Sequence, residues 1–153
     1  MDHIDIRLLE LLQADGRMTL SDLSKALNLS RPSVTERLRR LEEQNVITGF
    51  AAQVSPSGVG RDVLVLIQVG ELNVPCRKFE DFVANDLDVI ECHRITGSVS
   101  YYMKAAVSSM AGLESLVDRL IPFGRVNTSV VLSSPIKFRP MLPPNVEPSY
   151  QAE

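Results

Sequence analysis

No part of the chain constrains the fold more than the stretch from Leu20 to Gln44, LSDLSKALNLSRPSVTERLRRLEEQ. Leu23 and Leu27 recur at i, i+4, and Val34, Leu38 and Leu41 at i, i+4, i+7, so two successive segments each carry one narrow apolar stripe of helical period. Asn28, Leu29 and Ser30 interrupt the pattern. The Ser30 hydroxyl is placed to accept from the free N–H groups of the next helix, and Pro32 falls in its first turn, where a missing donor is tolerated. Two amphipathic helices joined by so short a break predict a helix-turn-helix. A further helix precedes it from Asp2 to Gln13, with Ile4, Leu8, Leu11 and Leu12 along one side and Asp2 and Asp5 near its positive end. Asp15-Gly16 closes that helix, and Thr19 with Asp22 has the spacing of a capping arrangement for the next. After the third helix, residues 46–54 read as strand, turn and strand, the place of a wing.

Ser55-Pro56-Ser57-Gly58-Val59-Gly60 has the composition of a hinge. Beyond it, 62–70 is a short apolar run suited to a buried strand, and Pro75 opens a helix with Phe79, Phe82 and Val83 inside. Residues 89–96 and 100–107 read as strands separated by Gly97-Ser98-Val99. Ser108 or Ser109 caps another helix carrying Leu113, Leu116, Val117 and Leu120, and 128–132 is a final strand. The order strand, helix, strand, strand, helix, strand is the ferredoxin-like βαββαβ plan, so the chain is α+β: a winged helix-turn-helix over 1–54, a hinge over 55–61, a ferredoxin-like domain over 62–139, and a Pro-rich irregular tail over 140–153. Such a sheet leaves one face uncovered by helices, and apolar residues there predict burial against another copy.

The composition narrows the function classes. No window approaches the ~18 uninterrupted apolar residues of a membrane span, and the start MDHIDIRLLE lacks a basic n-region, which predicts a cytoplasmic, nucleoid-associated protein with no membrane partner. Cys76 and Cys92 are not in C-x-x-C spacing and are expected as buried thiols; no metal site and no cofactor is expected. Sixteen basic against nineteen acidic residues give a net charge of −3, unusual for a nucleic-acid binder. Yet from Arg31 to Arg40 there are four arginines and one acid, Glu36. One such patch binds DNA weakly, so several copies are expected to combine.

With Val34, Leu38 and Leu41 inward, a rotation of ~100° per residue sets Glu36, Arg39 and Arg40 opposite the stripe and Ser33, Thr35 and Arg37 at its flanks. The N-terminal part of the second helix of such a unit reaches base edges, and the rest meets the backbone. Ser33, Thr35 and Glu36 are therefore assigned to base readout, Glu36 as acceptor for a cytosine amino group, and Arg31, Arg37, Arg39 and Arg40 mainly to phosphates of double-stranded DNA. The competing reading is a solvated face with Glu36 paired to Arg40 at i, i+4. A second candidate site is Thr96, Gly97, Ser98, Val99, Ser100 and Tyr101, where amides of a glycine turn can hold a carboxylate; its competitor is an ordinary hairpin turn. His93 and Cys92 alternate in a strand and point to opposite faces, so they form no catalytic pair, and His93 is read as structural or solvated. No catalytic residue is assigned.

The stretches IDIRLLELLQADGRMTLSDLSKALNLS, SVTERLRRLEEQNVITGF and VIECHRITGSVSYYMKA resemble the Lrp/AsnC (feast/famine) family of transcriptional regulators over about the first 139 residues. The resemblance implies a winged helix-turn-helix joined to a domain of the RAM/ACT type that mediates homodimers, octamers and binding of a small amino acid. Two positions depart from the family pattern. Thr48 stands where a basic residue often follows the Ile of the wing, and Ser98 stands where many amino-acid-responsive members have Asp. Ser98 offers only a neutral hydroxyl to an ammonium group, and a charge-assisted bond is roughly twice as strong. The expected function is a sequence-specific DNA-binding transcriptional regulator tuned by an amino acid, not an enzyme. The alternatives are an architectural protein that wraps or bridges DNA without an effector and, on the same scaffold, a haem-precursor decarboxylase using His93.

Overall fold

The computed structural model describes residues 1–144. The expectation of an irregular tail over 140–153 therefore falls partly outside the described residues; 140–144 contain no helix or strand. Contacts divide the chain into two units, Met1–Ala52 together with the described residues from Ile136 on, and Gln53–Pro135. The segment read as a hinge thus lies within the second unit.

The first unit holds three helices, α1 (His3–Ala14), α2 (Leu20–Leu27) and α3 (Arg31–Glu43). Each starts on a side-chain cap: Asp2 in a reciprocal box with Asp5, Thr19 accepting from the Asp22 amide, and Ser30 accepting from the Ser33 amide. Asn28 ends α2 in the left-handed region at φ 53°, which lets the chain turn within three residues into α3. Leu8, Leu9, Leu23, Val34 and Leu41 form the core, with Leu11, Leu12 and Leu27 packed around it. The inner face of α1 is rotated from the expected one: Asp5, Leu8 and Leu9 are buried, and Ile4 is only half-buried.

The strand, turn and strand expected over 46–54 are absent, which corrects that reading. The amides of Val46 and Ile47 both donate to Leu41 O, at 2.9 and 3.1 Å, folding the chain back onto the end of α3. The following residues find no ladder partner, and Phe50 and Val54 stay exposed. The described tail returns to this unit: Gln13 Nε2 donates to Met141 O at 3.0 Å, and the Met141 amide donates to Gln13 Oε1 at 2.8 Å.

The second unit opens with a 3-10 turn at Ser57–Val59 and continues as β1 (Val63–Gly70), α4 (Cys76–Asn85), β2 (Val89–Arg94), β3 (Tyr101–Val107), α5 (Met110–Leu120) and β4 (Arg125–Val130). The sheet is antiparallel throughout in the order β2-β3-β1-β4, the ferredoxin-like arrangement. Val65, Ile67 and Val69 lie opposite Ala105, Met103 and Tyr101, and this layer packs on Phe79 and Val83 of α4 and Leu113, Leu116 and Leu120 of α5. Gly124 is required where β4 begins, because a Cβ there would sit 2.5 Å from the Gly70 carbonyl oxygen. By alternation the other face presents Leu64, Leu66, Gln68, Tyr102, Lys104, Glu91 and His93, and no helix of this unit covers it. Among the described residues no helix is long and apolar enough to cross a membrane.

Candidate nucleic-acid interface

The outward face of α3 carries Arg31, Ser33, Thr35, Glu36, Arg39 and Arg40 exposed, while Arg37 is half-buried. Ser33 Oγ lies 2.8 Å from the capping Ser30 Oγ, and Thr35 Oγ1 donates to Arg31 O at 3.0 Å, so both hydroxyls are held by their own helix. Arg31 forms no ion pair with any described residue. Arg39 donates to Glu36 through Nη2 at 2.7 Å and Nε at 3.1 Å, and its Nη1 meets Glu43. The Arg39 guanidinium holds the Glu36 carboxyl below its usual range, and Glu36 and Glu43 in turn raise Arg39. Glu36 pairs at i+3 with Arg39, not at i+4 with Arg40.

Arg37 and Arg40 turn instead toward α1. Arg37 Nη1 donates to Asp5 Oδ1 at 2.6 Å and to Asp2 at 2.8 and 3.0 Å; Arg40 Nη2 donates to Asp5 Oδ2 at 2.8 Å. The Asp5 side chain is 1% exposed, and an ionised carboxylate at such a depth persists only when paired. Burial alone would raise its pKa, but the Asp2 amide and the Arg37 guanidinium outweigh that and hold it below the ordinary value. Asp2, at the helix cap, falls from 3.8 to about 2, first through the Asp5 amide and then through Arg37. Beside this cluster lies an open groove of about 280 Å³ lined by Met1, Asp2, Asp5, Arg40 and Gln44.

Sequence reasoning missed Asp5 as part of the site. Its signal is positional: Asp5, Leu8, Leu9 and Leu12 follow i, i+3, i+4, i+7, so an acid sits on the apolar stripe of α1. A carboxylate there requires cations from a packing neighbour, and Arg37 and Arg40 supply them.

The second candidate, Thr96 to Tyr101, comprises the loop between β2 and β3, closed by the Ile95 amide donating to Ser100 O at 2.9 Å, and the first residue of β3. Gly97 adopts φ +114°, which leaves its amide and that of Ser98 on an exposed turn with the Thr96 and Ser98 hydroxyls; Val99 and Ser100 are half-buried. The Ser100 amide is already bonded to Val69 O at 3.0 Å. Tyr101 points into the core, and its hydroxyl donates to Glu80 Oε1 at 2.6 Å. A groove of about 450 Å³ runs beside that pair, lined by Glu80, Ile90, Cys92, Arg94 and Tyr101 among others.

The two cysteines differ from the expected buried thiols: Cys76 is half-buried, and Cys92, on the edge strand β2, is exposed because no further strand or helix covers that edge. Cys92 and His93 lie opposite Met103 and Tyr102 and so face opposite sides of the sheet. His93 is exposed, with Nε2 3.8 Å from Glu91. Among the described residues no group of three or more His, Cys, Asp or Glu side chains is placed to hold a metal ion.

Comparison with known proteins agrees with both halves of this architecture. The winged helix-turn-helix DNA-binding family matches residues 1–48, and the Lrp/AsnC ligand binding domain matches residues 62–141. The HTH-type transcriptional regulator YezC of Bacillus subtilis is 38% identical over 134 residues, 88% of this chain and 95% of that protein. The leucine-responsive regulatory protein of Escherichia coli K12 is 33% identical over 124 residues, 79% of this chain and 76% of that protein. Among solved structures, LrpC of B. subtilis superposes with a TM-score of 0.86 at 27% identity, over 90% of this chain and 99% of that one. A transcriptional regulator from Neisseria meningitidis, solved with L-methionine, superposes with a TM-score of 0.83 at 30% identity, over 95% and 97%. A helix-turn-helix with a polar outward α3, an antiparallel ferredoxin-like sheet, and matches spanning both units lead to one conclusion: this chain belongs to the Lrp/AsnC family of transcriptional regulators.

Proposed function

We propose that the protein regulates transcription from the cytoplasm, in contact with the nucleoid, by laying α3 of two or more copies into successive major grooves of double-stranded DNA. The observation that carries this reading is the outward face of α3, polar at its N-terminal end and rich in arginine beyond it, on a three-helix unit whose core takes Val34 and Leu41 from the opposite face of that helix. Ser33, Thr35 and Glu36 read bases; Arg31, Arg39 and Arg40 meet phosphates, with Arg37 in reserve behind Asp2 and Asp5. Residues 1–54 supply the DNA-binding domain and 62–139 the assembling one, joined through 55–61, which the contacts group with the second unit. Selection of bound duplexes from a random pool by the full-length protein tests this reading. Enrichment of a palindromic or repeated motif is expected, and an unenriched pool overturns sequence-specific binding.

The helix-free sheet face, on which Leu64 and Leu66 are half-buried and Tyr102 is exposed within one subunit, supports a homodimer closed on that face, and octamers built from such dimers are what the family resemblance implies. The Thr96–Ser100 turn takes the carboxylate of a small amino acid on its amides. The nearby relatives support that class of ligand, since one is named leucine-responsive and another was solved with L-methionine. A thermal-shift screen of the common amino acids is the test, because a ligand at ~100 times its Kd adds ~2.7 kcal/mol. Absence of a shift at millimolar concentration removes the amino-acid effector and favours the effector-free architectural reading, which the neutral Ser98 hydroxyl already supports. The regulator names of the relatives and an exposed His93 outside either groove argue for regulation over decarboxylation. A tetrapyrrole titration that gave saturable binding would reverse that choice.

A further inference from the structure

Among the described residues, the charged corner where α1 meets α3 has more built-in constraint than the DNA-binding reading requires. Four carboxylates, Asp2, Asp5, Glu36 and Glu43, face four arginines of α3, and only Arg31 among those arginines is without one of them as partner. The pairs are of two kinds. Arg39 is exposed at 55% and bound to exposed acids of its own helix, so water and salt screen that pairing and a phosphate can displace it. Asp5 is buried, and both of its oxygens are committed: Oδ1 to Arg37, Oδ2 to Arg40 and to the Asp2 amide at 3.1 Å.

The two arginines on Asp5 are held differently. Arg37 puts a single nitrogen, Nη1, on oxygens of both Asp2 and Asp5, and its side chain is only 22% exposed. Arg40 gives Asp5 only Nη2, stays 45% exposed, and keeps the remaining donors of its guanidinium fork at the rim of the 280 Å³ groove.

We infer that Asp5 is a positioning residue that sets DNA specificity: its buried carboxylate withholds Arg37 from phosphates and aims Arg40 at one. The inference rests on the DNA-binding reading above. A guanidinium already matched by fixed carboxylates displaces no counterion from DNA, so Arg37 adds nothing to the sequence-independent part of binding. A guanidinium fixed at one end and free at the other surrenders less rotamer freedom when it reaches its phosphate, and it does so only in the register that α3 adopts on its proper site. Withholding one arginine and aiming the other lowers affinity for arbitrary DNA while sparing the cognate site, which widens the ratio between them.

The test uses the full-length protein, a duplex recovered by selection and a scrambled duplex of equal length, with fluorescence anisotropy over a salt series. Arg37→Gln is expected to leave the log–log salt slope unchanged on both duplexes, whereas Arg40→Gln flattens it by about 0.9 per bound chain. Asp5→Asn, which leaves Arg37 only the exposed Asp2 carboxylate that a phosphate can displace, is expected to steepen the slope on scrambled DNA by up to about 0.9 per chain and to shrink the cognate-to-scrambled ratio several-fold. Adding Arg37→Gln to Asp5→Asn restores the wild-type slope. Glu42→Gln, which removes a carboxylate of α3 that holds no arginine, gives the size of the long-range charge effect to subtract.

A slope that flattens as much in Arg37→Gln as in Arg40→Gln overturns the inference. So does an Asp5→Asn protein that loses affinity equally for both duplexes at unchanged slope, the signature of a merely structural carboxylate. Should Asp5→Asn fail to fold by circular dichroism, the comparison of Arg37→Gln with Arg40→Gln decides alone. Wild-type protein that binds neither duplex overturns the DNA-binding reading itself, and this inference with it.

Discussion

Tyr101 Oη donates to Glu80 Oε1 at 2.6 Å, tying the start of β3 to α4 beside the larger groove of the second unit. Burial first, and Glu80 second, raise the phenol above its ordinary pKa, so the hydroxyl stays protonated and donating at any physiological pH. Tyr101→Phe removes the donor at little change in volume. A loss of about 1 kcal/mol is expected, read as a fall of several degrees in Tm. Any stabilisation by amino acids should survive the change, because the hydroxyl is spent on Glu80. A Tyr101→Phe protein that keeps its Tm but no longer responds to amino acids would place that hydroxyl at the ligand.

The cap of α1 predicts an acid-sensitive N-terminus. Asp2 has a folded-state pKa of about 2 against an ordinary 3.8, a depressed value, so its contribution is present above about pH 4 and is lost as pH falls toward 2. Wild type and Asp2→Ala should differ in urea midpoint at pH 5 and converge near pH 2. A difference that persists at pH 2 would show that the Asp2 charge is not what stabilises the cap.

Glu36 faces outward with Arg39 on it, so two effects follow from its removal. Glu36→Ala should change the preferred base at one position of the selected site, and it should raise affinity for any duplex modestly, since a negative charge is removed and Arg39 is left with Glu43 alone. Recovery of the same site logo would assign Glu36 to electrostatic balance alone.

The helix-free sheet face gives a prediction about assembly. Leu66 lies opposite Lys104 on one side and Ser129 on the other, at the centre of that face. Leu66→Lys puts a like charge beside Lys104 and should shift the protein toward monomer in sedimentation, with a loss of DNA affinity of tenfold or more as the copies separate. Unchanged mass in solution would move the dimer contact elsewhere.

At the beginning of β4 the backbone leaves no room for a side chain. Gly124→Ala would drive a Cβ against the Gly70 carbonyl oxygen, and a destabilisation of about 1–3 kcal/mol is expected in chemical denaturation. An unchanged midpoint would mean that the Gly70 turn yields freely.

The elements that are legible in the sequence are those whose signals are local. Caps at Thr19, Ser30 and Ser109, and apolar periods such as Val34–Leu41, carry their meaning within one or two helical turns, so helix starts agree with expectation to within a residue or two. The βαββαβ order is legible for the same reason. What escapes is set by partners distant in sequence. Nothing local to Arg37 shows that Asp5 of α1 lies 2.6 Å from it, and nothing local to Tyr101 shows its hydroxyl bonded to Glu80 of α4. Residues 46–54 have strand-like composition, yet the amides of Val46 and Ile47 are already given to Leu41 O and no ladder partner follows. Composition supplies a propensity; a strand also needs a neighbour.

The pairing of Gln13 with Met141 spans 128 positions and joins the two ends of a unit that the ferredoxin-like fold interrupts. During synthesis the three helices emerge early, but their last contact waits until the intervening unit has been made. At ribosomal speeds of about 5–20 residues per second, the wait lasts roughly 6–25 seconds, far longer than a helical unit needs to form. The three helices can therefore assemble before Met141 is made, with the Gln13 amide group held only by Leu9 O of its own helix at 3.2 Å, and the bonds to Met141 are added afterwards. A truncated product would carry an assembled α3 without that final clasp, and the cell would meet it as a DNA-binding head still unlatched.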